Sequence, residues 1–357
     1  MPVKLTEVAR HAGVSLATAS RVLNGSSRTP AAGIAERVKS AAEELGYVAN
    51  AQAQALARST TGLVGLVVHD IADPYFSAIA HGVQEAALTS HHQVLLAGTD
   101  IAGDGGSPGD AELAAVNAFI SYRTDAIILA ASRLLEEDPR LIKALSQYIT
   151  NGGRVVTLGA SAIPEARVLT VANREGAAAL VAALVTQGIR RFVILAGPHE
   201  RNTARVRVEG FLQGLAGAKI EPLAVVHGAF TSKGGHDATL EYMDSLGDSA
   251  AVPAILTHDA GSPVCILAAN DVMALGAMTA LRSRGLAIPA DVQVAGFDDI
   301  PTLRDHSPGL TTYSLPLEEM GRLAAEMALT PAGKQSHSVT GAVVLRESAG
   351  RKAPSGS

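Results

Sequence analysis

From Gly62 onward the chain alternates short continuous apolar runs with stretches of helical periodicity, and this alternation constrains the fold more than any other feature. Gly62 to Val68 has the unbroken apolar character of a parallel strand buried on both faces, and Tyr75 to Leu88 then repeats with a helical period. The unit recurs. Further strands are predicted at 94–97, 126–130, 155–158, 192–196, 223–226, 264–268 and 292–297, separated by helices at 110–120, 141–150, 174–187, 205–215, 235–246 and 271–284. Strand and helix in strict succession imply doubly wound parallel sheets, and the alternation is too long for one sheet, so two similar lobes are expected.

Composition narrows the class. Hydrophobic residues make up 47% of the 357, yet the apolar runs are short and broken by Gly, Asp and Pro, so none has the length of a membrane span. Met1 to Arg10 carries Lys4, Glu7 and Arg10 and no apolar core of a signal peptide, which gives a cytoplasmic expectation. The one cysteine, Cys265, lies in a strand-like run and reads as a small core residue. Net charge is −5, but residues 1–60 hold seven Lys/Arg against four Asp/Glu, so a basic head of +3 precedes an acidic body of −8. Phosphate neutralisation needs local positive charge, which suits a terminal DNA-binding module.

That head has no strand-like run. Thr6 is placed to cap a first helix ending near His11, Gly13 suits the left-handed residue of a tight turn, and Ser15 caps a second helix from Leu16 to about Asn24. Ala19, Val22 and Leu23 share the face turned to Val8 and Ala9, which leaves Leu16, Ala17, Ser20 and Arg21 outward. An Arg, hydroxyls and short apolar groups are what a major-groove reader requires: Arg21 for a guanine edge or phosphate, Thr18 and Ser20 for phosphate, Leu16 and Ala17 for thymine methyls. A third helix is expected over about Ala35–Leu45.

The string Thr6-Glu-Val-Ala, Ala12-Gly-Val-Ser, Thr18-Ala-Ser-Arg-Val-Leu-Asn24 resembles the headpiece of the lactose/galactose repressor family. Under that resemblance the DNA-contacting set is Thr6, Ser15, Leu16, Ala17, Thr18, Ser20, Arg21, Asn24 and Arg28 in the head, with Asn50, Gln54 and Leu56 in a hinge. Residues 50–57 are good helix formers, but so short a helix holds only against DNA or a partner. The family role is a paired hinge helix in the minor groove, with Leu56 as the wedge between base steps. Between Asn24 and Val38 this chain is one residue longer than the family spacing.

The remainder is similar to the same family, whose body resembles periplasmic sugar-binding proteins. Ala269-Asn-Asp-Val-Met-Ala-Leu-Gly276 and Val294-Ala-Gly-Phe-Asp-Asp-Ile-Pro301 put Asn270 and Asp298 at strand ends, facing the crevice where open α/β sheets bind ligands. Arg201 and Thr203 fall on the loop after strand 192–196, with Arg207 on the first turn of the next helix. The Glu200-Arg-Asn-Thr203 stretch is similar to the purine-repressor branch of that family, which implies ligand contact by Arg201, Thr203 and Arg207. Tyr75, Phe76 and Phe230 are candidates to stack on a ring. Ala172 stands where family members commonly have Asp, so sugar and purine or nucleoside both remain open.

These features assign residues 1–49 to a helix-turn-helix head and 50–60 to a hinge. A two-lobed effector and dimerisation domain is expected over 61–348, split as about 61–162 with 311–331 and about 163–310 with 332–348, and a disordered tail over 349–357. The fold class is α/β, a three-helix head plus a periplasmic-binding-protein-like domain. No catalytic constellation, cofactor fingerprint or metal-ligand spacing occurs; Gly103 and Gly105 are followed by Pro108 where a third Gly would be needed. The function expected is a sequence-specific transcription regulator of the repressor type: a homodimer on palindromic double-stranded operator DNA, switched by a small molecule and independent of membranes. The rivals are a free solute-binding protein and an α/β enzyme.

Overall fold

The computed structural model describes residues 3–24, 31–48, 60–99, 108–247, 263–331 and 335–350. In the head, α1 (Leu5–His11), α2 (Leu16–Asn24) and α3 (Ala32–Glu44) enclose a small core of Val8, Ala9, Ala12, Ala19, Val38, Ala41 and Ala42. Gly13, at φ +63°, makes the turn between α1 and α2, and Ser15 Oγ accepts from Thr18 N at 3.1 Å, so Ser15 is the cap that its position suggests. Two expectations are corrected. Thr6 lies inside α1 rather than at its cap, because Lys4 precedes the helix and its N–H donates to Glu7 Oε2 at 2.8 Å. The third helix starts at Ala32, not near Ala35, because the Ala31 carbonyl already accepts from Ile34 N and Ala35 N at 2.8 and 3.1 Å; alanine needs no side-chain cap to extend a helix backwards.

The first lobe's sheet contains β1 (Leu63–Val68), β2 (Gln93–Gly98), β3 (Ala126–Leu129), β4 (Arg154–Leu158), β5 (Arg167–Val171) and β11 (Ser336–Val339) in the order β11-β5-β4-β3-β1-β2, all parallel. The second contains β6 (Arg191–Ala196), β7 (Ala224–His227), β8 (Val264–Ala268), β9 (Val292–Asp298), β10 (Thr311–Ser314) and β12 (Ala342–Val344) in the order β12-β10-β9-β8-β6-β7, parallel except for β12. Helices α4 (Pro74–Thr89), α5 (Pro108–Ser121), α6 (Pro139–Thr150) and α11 (Leu317–Leu329) cover the first sheet. Helices α7 (Asn173–Thr186), α8 (Asn202–Gly217), α9 (Ser232–Ser245) and α10 (Asp271–Ser283) cover the second. β3 and β8 are buried along their whole length, as continuous apolar runs between two helical layers should be. Cys265 is fully buried in β8, and burial pushes its thiol up well above the ordinary range.

The lobe limits differ from those expected. β5 belongs to the first sheet although it follows residue 163, β10 belongs to the second, and β11 and β12 are divided between the two. Pairing partners decide lobe membership, and residues 311–314 find theirs in β9 rather than in the first sheet. The chain therefore crosses between lobes three times: after β5, after β10 and between β11 and β12. Ala349 and Gly350, both expected in a disordered tail, are held against the second lobe. Ala349 is fully buried, its carbonyl accepts from Thr311 Oγ1 at 2.7 Å, and Gly350 N donates to Gln293 Oε1 at 3.0 Å.

Close helix contact fixes the first lobe. A Cβ on Gly82 of α4 would lie 1.9 Å from Glu318 O, and one on Gly321 of α11 would lie 2.1 Å from Ile79 O, so the two backbones touch. Among the described residues no helix is long and apolar enough to cross a membrane.

Candidate functional site

The carboxyl ends of β1, β3, β4 and β5 face those of β6, β7, β8 and β9 across a crevice with a cavity of about 190 Å³. All eight residues proposed from sequence as ligand contacts line it: Tyr75 and Phe76 from the first lobe, and Arg201, Thr203, Arg207, Phe230, Asn270 and Asp298 from the second. The volume is below the roughly 300–1,000 Å³ typical of drug-sized ligand sites, which suits a small molecule of one or two rings.

The second lobe's wall is built on one ion pair. Arg207 Nη2 donates to Asp298 Oδ1 at 2.6 Å and Nη1 to Oδ2 at 3.3 Å; both residues are 3% exposed. The same guanidinium donates through Nε to Asn173 Oδ1 at 2.8 Å and through Nη1 to Ala269 O at 2.7 Å, and its Cζ stands 4.1 Å from the centre of the Phe297 ring. Four of the five guanidinium N–H groups are thereby engaged, which leaves one for a ligand. Desolvation pushes Asp298 up to about 6, against the pull of Arg207. Asn270 caps α10, its Oδ1 accepting from Met273 N at 3.0 Å. Its neighbour Asp271 is turned inward, accepting from Thr312 Oγ1 at 2.7 Å and Ile300 N at 3.0 Å, and does not line the cavity.

Aromatic rings supply the other surfaces. Tyr75 and Phe76 meet edge to face at 4.9 Å, and His69 approaches the Phe76 ring at 6.4 Å. Asp73 holds them in place by capping α4, accepting from Tyr75 N at 2.9 Å; desolvation raises its carboxyl above the ordinary range. Phe230 lies against Gly197, where a Cβ would fall 2.2 Å from the ring, so only glycine lets that ring reach the crevice. Ala172 does not line the cavity, whereas its neighbours Val171 and Asn173 do.

Arg201 and Thr203 do more than face the cavity. Leu135 N donates to Glu200 O and Asn202 N to Arg133 O, both at 2.9 Å, forming a short antiparallel bridge from one lobe to the other. Arg201 Nη1 donates to Ser132 O at 2.7 Å, and Ser132 Oγ donates to Thr203 Oγ1 at 2.8 Å. The first-lobe side of this bridge is anchored by buried Arg133, which pairs with Glu112 and, at 3.2 Å, with Glu137. Sequence reasoning missed Ser132, Arg133 and Asn173 as lining residues. The position of Ser132 and Arg133 just past a buried strand was the available signal, since such ends face the crevice.

In the head, Leu16 (48% exposed), Ala17 and Arg21 stand outward on α2, Thr18 and Ser20 are half-buried, and Ala19 is sealed against α1. Thr18 Oγ1 is 2.8 Å from Ser15 Oγ. Thr6 is exposed on α1, and Asn24 ends α2. Arg28, Asn50, Gln54 and Leu56 lie outside the described residues. Among the described residues no group of three or more His, Cys, Asp or Glu is placed to hold a metal.

Comparison with known proteins meets this geometry at both ends of the chain. Residues 4–50 match bacterial regulatory proteins of the lacI family, and 181–349 match a periplasmic binding protein-like domain. The HTH-type transcriptional regulator GalS of Salmonella typhimurium is 32% identical over 330 residues, covering 92% of this chain and 89% of the relative. The HTH-type transcriptional repressor PurR of Haemophilus influenzae is 30% identical, with 91% and 90% covered. Among solved structures, the lac repressor dimer bound to operator and the anti-inducer ONPF has a TM-score of 0.80 at 27% identity, covering 98% of this chain and 99% of that one.

Proposed function

This chain belongs to the lacI family of bacterial regulatory proteins, and from that premise we propose that it works as a dimeric repressor-type switch on palindromic operator DNA, set by a sugar or a purine or nucleoside held between its lobes. Its relatives are DNA-binding transcription regulators rather than enzymes, and it is a regulator of that kind. The observation that carries the effector half is the crevice. Its cavity is lined from both lobes, so a ligand there binds one inter-lobe arrangement better than another and shifts the population towards it. Aromatic rings at Tyr75, Phe76 and Phe230 beside the polar edge of Arg207, Asn270 and Asp298 suit a flat or half-flat ring with hydroxyl or ring-nitrogen groups, which sugars and nucleosides share.

The DNA half rests on α2, whose outward Leu16, Ala17 and Arg21 are set on a packed three-helix head, with Leu56 as the proposed wedge of the hinge. Dimerisation is supported by apolar side chains left outward at the edge strands β2 and β7: Leu96 of β2 and Leu223, the residue before β7, are each 49% exposed, and Ile71, which lines one groove with Leu96, is 62% exposed. Residence in the cytoplasm follows from the proposed target.

Two measurements test this reading. Selection from a random-sequence duplex pool should enrich a palindrome, and Arg21→Ala should relax its sequence by about 1–3 kcal/mol of discrimination; equal binding of that variant and the wild type to enriched and random duplexes overturns the reading face. A thermal-shift panel of sugars and nucleosides should raise the melting temperature of the wild type and not of Arg207→Ala. A panel in which both respond alike overturns the crevice.

A further inference from the structure

The chain enters the body at residues 60–62, and one side chain holds that entry. Asp125, the residue before β3, accepts from Thr61 N at 2.9 Å through one carboxylate oxygen and from Gly62 N at 2.8 Å through the other. Around this fork, Thr61 Oγ1 donates to Arg123 O at 2.8 Å, Asp125 N to Leu63 O at 2.8 Å, and Gln93 N to Gly62 O at 2.7 Å. Gly62 takes φ +67°, and His92 Nε2 stands 3.4 Å from the Asp125 carboxylate. The Asp125 side chain is 11% exposed. β1 is already paired with β2 from Leu63 to Val68 and with β3 from Val64 to Val67, so the sheet does not need the fork for its register. Two charge-assisted hydrogen bonds on the last two amides of the connection fix the direction in which it reaches the body.

The other end of the same strand reaches the crevice. β3 is four residues long and wholly buried, Ala130 N donates to Val67 O at 2.8 Å, and Ser132 to Leu135 then form the bridge to the second lobe. Asp125 and Ser132 thus sit at opposite ends of one packed segment, roughly 20 Å apart at about 3.3 Å per extended residue. A buried strand between two helical layers moves as a unit, because its close-packed surroundings do not deform continuously.

We propose that Asp125 is a positioning residue that sets the orientation in which the DNA-reading head leaves the body, and that β3 carries a change of lobe contact at Ser132 to that exit. The inference rests on the reading of the chain as an effector-switched DNA binder. Asp125 does not line the cavity, so its effect on DNA affinity arises through Thr61 and Gly62. Asp125→Ala removes both acceptors. Asp125→Asn keeps one acceptor oxygen and turns an NH2 towards the other amide, which makes a half-clamp.

The test uses the full-length wild type, Asp125→Asn, Asp125→Ala, Ser132→Ala and the Asp125→Ala/Ser132→Ala double variant. Hydrogen exchange at residues 60–62, thermal unfolding, and affinity for a duplex that the wild type itself enriches from random DNA are measured for each. Asp125→Ala should expose the Thr61 and Gly62 amides and lower DNA affinity about tenfold, the scale of one charge-assisted hydrogen bond, with Asp125→Asn intermediate. The double variant should lose less than the product of the two single losses, because both act through β3. Unchanged exchange at residues 61–62 in Asp125→Ala overturns the proposal, as does faster exchange with unchanged affinity, or full additivity in the double variant. Should Asp125→Ala also melt the body, Asp125→Asn decides: wild-type unfolding with wild-type affinity and faster exchange overturns it. A wild type that enriches no duplex overturns the underlying reading and this proposal with it, and is distinguishable as a property of the unmutated chain.

Discussion

Arg207 grips Asp298 through two parallel hydrogen bonds, Nη2 to Oδ1 at 2.6 Å and Nη1 to Oδ2 at 3.3 Å, and only 4% of either side chain meets solvent. Removing one partner strands the other in a low-dielectric wall. Arg207→Ala should therefore cost about 3–5 kcal/mol, the usual penalty for breaking a buried pair on one side. Arg207→Lys recovers only part, because an ammonium cannot reproduce the fork or keep the bond to Asn173. Urea unfolding of the two variants at pH 7 measures both.

The same carboxylate imposes a pH dependence. Asp298 is raised from 3.8 to about 6, first by burial, so the folded chain holds that proton more tightly than the unfolded chain does. Its contribution to stability is greatest below about pH 4 and falls as the pH rises to about 6. Asp271 is raised for the same reason, with the charge of Asp298 adding to it, and gives the same sign. Denaturant midpoints between pH 4 and 6 should decline through these two groups, and Asp298→Asn should flatten its share of the slope.

Helix contact in the first lobe tolerates no side chain at Gly82. A Cβ there would meet Glu318 O at 1.9 Å, which belongs to backbone and cannot rotate away. Gly82→Val should cost about 2 kcal/mol or more by forcing α4 and α11 apart. Chemical denaturation reads this directly, and a variant as stable as the wild type would refute the close crossing.

In the inter-lobe bridge the Ser132 hydroxyl bonds Thr203 twice, donating to its Oγ1 and accepting from its N at 3.4 Å, while the bridge's Leu135–Glu200 and Asn202–Arg133 backbone bonds do not involve it. Ser132→Ala deletes the hydroxyl that donates to Thr203 Oγ1 at 2.8 Å, a loss of roughly 1 kcal/mol. The amides of Leu135 and Asn202, which span the lobes, should then exchange with solvent about fivefold faster while amides within β3 keep their protection. Hydrogen exchange with mass spectrometry resolves the two classes.

What the sequence made legible was whatever a local pattern encodes. Continuous apolar runs located β1, β3, β6, β8 and β9 because those strands are buried on both faces, and Ser15 marked the start of α2 through its capping chemistry. β5 escaped notice because Arg167-Val-Leu-Thr-Val alternates exposure instead of forming a continuous apolar run; β11, Ser-His-Ser-Val, is a polar edge strand with no apolar run at all. α11 was legible in principle, since Leu317, Met320, Ala324 and Ala328 recur on one face. Eight of the crevice residues were found because strand ends of open α/β sheets converge there, whichever lobe they belong to, and Ser132, Arg133 and Asn173 were missed. Lobe membership was not, because which strand pairs with which depends on contacts across the whole chain.

The three crossings have a consequence for how the molecule is made. β11 and β12 each form one edge of their sheet, opposite β2 and β7, and both come from residues 336–344. Translation must pass residue 339 before the first lobe owns its last strand and residue 344 before the second does, so the lobes mature within a few residues of each other rather than in turn. A chain halted before Ser336 would emerge with β5 and β10 each bare along one side, two unpaired edges ready to recruit another chain. A premature stop in the last short segment would thus be felt as aggregation of the whole body rather than as loss of its end.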